Sequence, residues 1–388
     1  MRPPERFSGS EDYLHEAASR ECGLTDFGAG DDYLPGLGVL LASMDADPRF
    51  TPEGRQLAFD AVVITLIARA YAEEGWKQHP QWRDAPIRNP IIIAGMSRTG
   101  TTALHKLMGA DPQFQGLEHW LSQSPMPRPP RADWPANPAY RRAARWVDDM
   151  FAASPESQVA HNVVADEFEE CLELQRQNFT CNRWACTWTA PSYDAWWQTQ
   201  NERRTFARSA DILRLIGCHD SRRWLLKNPS NIEFLDFVFE QFPDACIIQT
   251  HRDPLQFMPS ICSLVHLLHI GFEGDGAAAT RHLIGPRELE KWATIAERGM
   301  AQRKGREDRF IDIHHADFHA DPMGTIQRIY DRFGLTMSEE AEQRIFARIE
   351  ANPEGHGKHR YDMESFGLSQ EAILERFAPY IERFGIGS

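Results

Sequence analysis

Ile91-Ile92-Ile93 is wholly apolar and runs into Ala94-Gly95. A strand with no polar face has to be covered on both sides, which points to a parallel sheet sandwiched between helices. Two similar runs follow, Trp224-Leu225-Leu226 and Cys246-Ile247-Ile248. Each precedes a helical pattern, Asn231 to Phe242 and Gln256 to His269. A fourth candidate strand, Phe310 to Ile313, leads into a helix from about Pro322 to Phe333. This alternation predicts βαβ units. Outside them the texture is helical. Residues 1 to about 85 show helical spacing at 11–21, 37–44 and 52–74, and a connection with prolines follows to Pro90. A proline-rich loop spans Pro125 to Pro138, and residues 139–220 read as mostly helical, with a helix expected at 166–178. The tail adds helices near 338–350 and 369–383.

Composition removes several classes. The 388 residues carry a formal charge of -14, so a surface built for nucleic acid or anionic lipid is excluded. The apolar stretch Ala61 to Ala68 is too short to span a bilayer, and the first residues lack the apolar segment of a secretory signal. Seven scattered cysteines fit a reducing compartment better than a disulfide framework, and Cys181 with Cys186 lacks the second pair a zinc site needs. The expectation is a cytoplasmic protein with no membrane span.

The sharpest local signal is Gly95-Met96-Ser97-Arg98-Thr99-Gly100-Thr101-Thr102, set between a buried strand and a helix. Such a turn aims unpaired main-chain N–H groups at one point, and the helix dipole adds to them, so it suits a phosphate. Hydroxyls on Ser97, Thr99, Thr101 and Thr102 add donors, and Arg98 adds charge. The glycines have the spacing of the nucleotide-triphosphatase loop, but Thr101 stands where that loop places its lysine. A chain without that lysine is poorly equipped for ATP and magnesium.

The stretch from Gly95 to Met108 resembles the 5′-phosphosulfate loop of sulfotransferases that use 3′-phosphoadenosine-5′-phosphosulfate, in which a basic residue precedes a Ser/Thr-Gly-Thr-Thr run. A second segment agrees. Thr250-His251-Arg252-Asp253-Pro254 closes a strand, and Ser260 lies eight positions after Arg252. The family holds the donor's 3′-phosphate with an Arg and a Ser at that spacing. A third segment, Glu354-Gly355-His356-Gly357-Lys358-His359-Arg360-Tyr361, resembles the basic glycine-containing loop that folds over the nucleotide. The match is looser there. It makes Lys358, His359 and Arg360 candidates for the 3′-phosphate and Tyr361 a candidate for ring contact.

The resemblance covers roughly residues 88–388 and is greatest to the bacterial branch and to tyrosylprotein sulfotransferases. It implies an α/β fold with a P-loop-type central parallel sheet flanked by helices, a helical N-terminal region and a helical insertion. The expected division is a helical region at 1–87 packed on the core and a sulfotransferase-like domain at 88–388, with the insertion at about 125–220. It also implies a role for Lys227, at the end of Leu225-Leu226-Lys227-Asn228-Pro229, in meeting the leaving phosphate together with Arg98. Glu118, twenty residues after Arg98, stands near the offset of the family's catalytic glutamate, and the adjacent His119 is the rival base. His161, Asp166 and Glu167 are weaker rivals. Trp184, Trp188, Trp196, Trp197 and Phe179 either pack as core or wall an apolar acceptor pocket. His266 and His269, or His314, His315 and His319, do not complete a metal set, and no metal is expected. The expected reaction is sulfuryl transfer to a hydroxyl of a small, apolar or phenolic acceptor. A kinase-like enzyme using ATP and magnesium, or a non-catalytic nucleotide-binding protein, are the alternatives.

Overall fold

The computed structural model describes residues 1–153, 163–351 and 363–387. The chain forms two compact units. One comprises Met1–Pro86, Leu117–Ser221 and Leu267–Ala278, and the other Ile87–Gly116, Arg222–His266 and Ala279–Ser388.

The first unit is helical. Its long helix, Pro52–Gln78, starts where Thr51 accepts the Gly54 N–H on its side chain at 2.9 Å, with Pro52 at the first helical position. Gly54 is required for packing: a Cβ there would lie 1.8 Å from the Phe272 carbonyl oxygen. Further along the same helix Arg69 is 0% exposed. Its guanidinium donates to both carboxylate oxygens of Asp32 at 2.6 and 2.8 Å, to the Phe27 carbonyl at 2.5 Å and to Asn178 Oδ1 at 3.1 Å. It also lies 4.0 Å from the centre of the Tyr33 ring. A buried charge survives only when its donors are satisfied in this way.

Phe179, Trp184 and Trp188 pack with Phe50 and Phe272 at ring separations of 5.3 to 5.8 Å. Trp197 is buried as well. Three of the four tryptophans of this region therefore belong to the core of the first unit, while Trp196 is half-buried against Tyr193. The helix expected over 166–178 is not formed as one piece. Phe168 makes an antiparallel bridge to Glu118, and only Leu172–Gln175 is α-helical, with a 3-10 turn at Arg176–Asn178. The physical reason is competition for main-chain bonds: His119 N donates to the Glu167 carbonyl at 3.1 Å, and Glu169 N to the Leu117 carbonyl at 2.7 Å. The acidic side chains there are partly ion-paired, as Glu173 is with Arg176 at 3.1 Å.

The second unit holds the sheet: β1 (Ile91–Gly95), β2 (Phe114–Gln115), β3 (Arg223–Lys227), β4 (Cys246–His251) and β5 (Phe310–His314). All pairings are parallel, in the order β2-β3-β1-β4-β5. β1 is central and buried throughout, as its composition requires. Its Ile91 and Ile93 join Leu104, Leu225, Ile248, Ile313, Ile326 and Tyr330 in one core cluster. Each such aliphatic side chain contributes roughly 1.5–3 kcal/mol by burial. The chain leaves β1 toward β3 on one side and later returns to β4 on the other. The crevice at the C-terminal ends of these three strands is the place where such sheets bind ligands. β2 and the 28-residue helix Gly276–Arg303 were not anticipated from sequence. Gly285-Pro286 inside the helix reads as a break.

Candidate functional site

Everything at the phosphate loop follows from how β1 ends. Gly95 has φ +139°, and a Cβ on it would stand 2.6 Å from the Thr250 carbonyl oxygen, so only glycine lets β1 and β4 approach here. The loop then turns through Arg98 at φ 67° and Gly100 at φ 93°. Alternating left-handed residues curl main-chain N–H groups around a concavity. Among the described residues, none of the N–H groups from Ser97 to Thr102 has an acceptor, and the helix Thr101–Met108 begins directly behind them. A left-handed arginine costs on the order of 1–3 kcal/mol and persists only where neighbours hold it.

Those neighbours are residues picked out from sequence. Arg252 Nη1 donates to the Arg98 carbonyl at 2.9 Å, and Arg98 Nε donates to Ser260 Oγ at 3.1 Å. The loop, the end of β4 and the helix Pro254–Glu273 thus meet at one point. Asp253 caps that helix by accepting the Leu255 N–H at 2.9 Å, so Arg252 is directed at the loop and not at its neighbouring carboxylate. Thr99 is turned inward: its hydroxyl donates to the Met96 carbonyl at 2.6 Å and meets Thr250 Oγ1 at 2.6 Å. Lys227 is 1% exposed, pairs beside Ile93 in register, and extends its Nζ to 3.3 Å from Thr102 Oγ1. A cation from the adjacent strand thus lies beside the first turn of the helix behind the loop.

His315 lies on the far side of the loop. A Cβ on Gly100 would be 3.3 Å from its ring. Burial first, then the nearby Arg252 charge and His319, push its pKa down to about 3. Among the described residues no group of three His, Cys, Asp or Glu side chains is arranged to hold a metal ion.

Glu118 and His119 lie in the first unit. Glu118 is 3% exposed and precedes the short helix His119–Gln123. Both its carboxylate oxygens accept from Arg128 Nε at 3.1 Å, and Arg128 Nη1 reaches Asp220 at 3.0 Å. His119 Nε2 meets the Gln123 side-chain amide at 2.9 Å, and its ring stacks on Trp146 at 5.7 Å. Among the weaker rivals, Asp166 is bonded to Arg131 at 2.8 Å, and His161 lies outside the described residues. Lys358, His359, Arg360 and Tyr361 also lie outside them.

Residues 90–339, well over half the chain, match the family model described as the Sulfotransferase family. The chain belongs to that family. A sulfotransferase STF1 from Mycobacterium tuberculosis H37Rv is 37% identical, with a TM-score of 0.86 over 97% of this chain and 100% of that one. STF9 from Mycobacterium avium is 25% identical with a TM-score of 0.88, covering 97% of each chain. The omega-hydroxy-beta-dihydromenaquinone-9 sulfotransferase Stf3 of Mycobacterium bovis is 24% identical over 316 residues, 76% of this chain and 75% of that protein. These likenesses agree with the P-loop-type α/β fold expected from sequence and identify a transferase of sulfuryl groups.

One pairing in this sulfotransferase was not visible beforehand. Arg128, ten residues beyond Glu118 and across a proline-rich stretch, carries no local signal that it pairs with that carboxylate. The helix Pro254–Glu273, which carries Ser260, is long and apolar enough to cross a membrane by length and composition. Phe257, Met258, Ile261, Cys262 and Val265 of that helix are buried in the protein.

Proposed function

We propose that the chain transfers a sulfuryl group from 3′-phosphoadenosine-5′-phosphosulfate to a hydroxyl of a small apolar or phenolic acceptor. The observation that carries this reading is the grouping of Arg98, Lys227, Arg252 and Ser260 around a loop of unpaired N–H groups at the C-terminal end of β1. The donor brings an anionic 5′-phosphosulfate and a 3′-phosphate. The loop N–H groups of Ser97 to Thr102 hold the first. Arg252, with Ser260 beside it, holds the second through the fork geometry that suits guanidinium to phosphate. Arg98 and Lys227 meet the charge that builds on the bridging oxygen as the 5′-phosphate leaves. With Lys227 in place, the loop needs neither a lysine at position 101 nor the magnesium that accompanies it in ATP enzymes. The Stf3 relative is named for a lipid alcohol, which supports an apolar hydroxyl as acceptor. The cytoplasm is the proposed location.

The acceptor hydroxyl needs a base. Glu118 was the first expectation, but its carboxylate is committed on both oxygens to Arg128. A carboxylate held by a guanidinium gains little from a proton. This favours His119, whose Nε2 lone pair accepts from the Gln123 amide in the tautomer protonated on Nδ1 and would exchange that one bond for the acceptor hydroxyl. His119→Ala is expected to lower kcat about 10²- to 10⁴-fold. Glu118→Gln is expected to keep turnover within about tenfold while lowering stability, because it strips a buried arginine of one of its two counter-charges. Steady-state kinetics with thermal melts checks both, and the reverse ranking of kcat returns the role to Glu118.

The reaction itself is tested by mass spectrometry. The protein is incubated with the sulfuryl donor and either a long-chain isoprenoid alcohol or a phenol, without metal. A sulfated acceptor is the expected product. No sulfated product from either class, with ATP and magnesium consumed instead, overturns the reading in favour of a kinase-like enzyme.

A further inference from the structure

Directly behind Arg252 lies a buried hydrogen-bonded chain whose direction is set by its chemistry. His251, the last residue of β4, is fully buried, with Nε2 2.8 Å from Asp312 Oδ1 on β5 and Nδ1 3.1 Å from the Tyr380 hydroxyl. Asp312 is also gripped by Arg303, whose two terminal nitrogens reach its oxygens at 2.6 and 2.8 Å. A carboxylate so held only accepts, so Nε2 carries the imidazole proton. Nδ1 then accepts from the Tyr380 O–H, and the main-chain N–H of Arg252 is directed at the same phenolic oxygen. Every group has its partner only while His251 is neutral. Burial holds its pKa below the ordinary value, with the charge of Arg303 and the neighbouring His314 acting the same way against the pull of Asp312.

The ring is fixed from the other side as well. Phe384 lies 4.2 Å from it and Tyr380 5.7 Å, both on the C-terminal helix Ala378–Phe384. Phe377, just before that helix, packs edge-on at 5.3 Å against Phe257, which precedes Ser260 by three residues. The C-terminal helix thus contacts the two residues flanking the phosphate site, at His251 and at Phe257.

We propose that His251 and Tyr380 are positioning residues for the donor's 3′-phosphate: they fix the main chain at Arg252 so that its guanidinium faces the loop. This rests on the reading that Arg252 holds that phosphate. Tyr380 touches no reacting atom. Its hydroxyl acts only through the strand end, so its loss should appear in ligands that carry a 3′-phosphate and not in those that lack one.

Tyr380→Phe removes one oxygen and keeps the ring, so packing with Phe257, Phe377 and Phe384 is retained. The experiment is calorimetric titration of wild type and variant with 3′,5′-phosphoadenosine and with 5′-AMP, alongside steady-state kinetics and a thermal melt. The expected result is a three- to tenfold weaker Kd for 3′,5′-phosphoadenosine, the size of one lost hydrogen bond. The Kd for 5′-AMP and kcat should stay within about twofold. Equal shifts for both nucleotides, or no shift for either, overturn the proposal and leave a purely structural bond. If wild type itself does not prefer 3′,5′-phosphoadenosine over 5′-AMP, the assignment of Arg252 falls first and the proposal falls with it.

Discussion

Replacing Lys227 by methionine is expected to slow sulfuryl transfer about 10³-fold, the scale seen when a preorganised charge facing a transition state is removed. Methionine fills the same buried channel, so the sheet should remain intact. The lysine is held at the end of β3 beside Ile93 and directed at the first turn of the helix behind the loop. In the proposed role little of its value is spent in the ground state, because the charge it would meet develops only as the bridging bond breaks. The Kd for 3′,5′-phosphoadenosine should therefore move by less than about tenfold while kcat collapses. Single-turnover kinetics with saturating donor separates the two. A variant that keeps kcat but loses donor affinity would reassign Lys227 to ground-state binding.

The second large effect is on stability. Arg69→Met should destabilise the first unit by about 3–5 kcal/mol, the cost of breaking a buried ion pair by removing one partner. The substitution leaves the carboxylate of Asp32, the carbonyls of Phe27 and Gln177 and the side chain of Asn178 without the donor that satisfies them. The arginine joins three stretches distant in sequence: the turn at Phe27 to Asp32, the long helix Pro52–Gln78 and the segment at 177–178. Urea unfolding, followed by the fluorescence of the tryptophans in that core, reads the change. A loss under about 1 kcal/mol would mean that Asp32 and its neighbours are satisfied by solvent once the arginine is gone.

What was legible in the sequence was what local chemistry dictates. Ile91-Ile92-Ile93 has no polar face, so it had to be a covered strand, and the glycine-bearing turn after it had to expose N–H groups. Lys227 and Arg252 could be placed at strand ends because the apolar runs before them stop there. The parts that escaped depend on partners remote in sequence. β2 is only two residues, formed by pairing with β3, and has no periodicity to detect. The segment at 166–178 has helical charge spacing, but its main chain bonds to Leu117 and His119. Glu118 stood out by its offset from Arg98, which the family resemblance made a candidate base. That Arg128 holds it could be learned only from the fold. The tryptophans at 184, 188 and 197 fitted a core better than a pocket wall, and their ring partners and burial place them in the core.

On the proposed function, the strand ends around Gly95 form a site for a nucleotide carrying phosphate at both the 3′ and 5′ positions. Calorimetric titration without metal tests it most directly, with 3′,5′-phosphoadenosine, 5′-AMP and, in a separate run with magnesium, ATP. 3′,5′-Phosphoadenosine is expected to bind at least about tenfold more tightly than 5′-AMP, since a charge-assisted hydrogen bond contributes about 1.5–3 kcal/mol, and Arg252→Ala is expected to abolish the difference. Equal affinity for 3′,5′-phosphoadenosine and 5′-AMP, or tighter binding of ATP with magnesium, would contradict it.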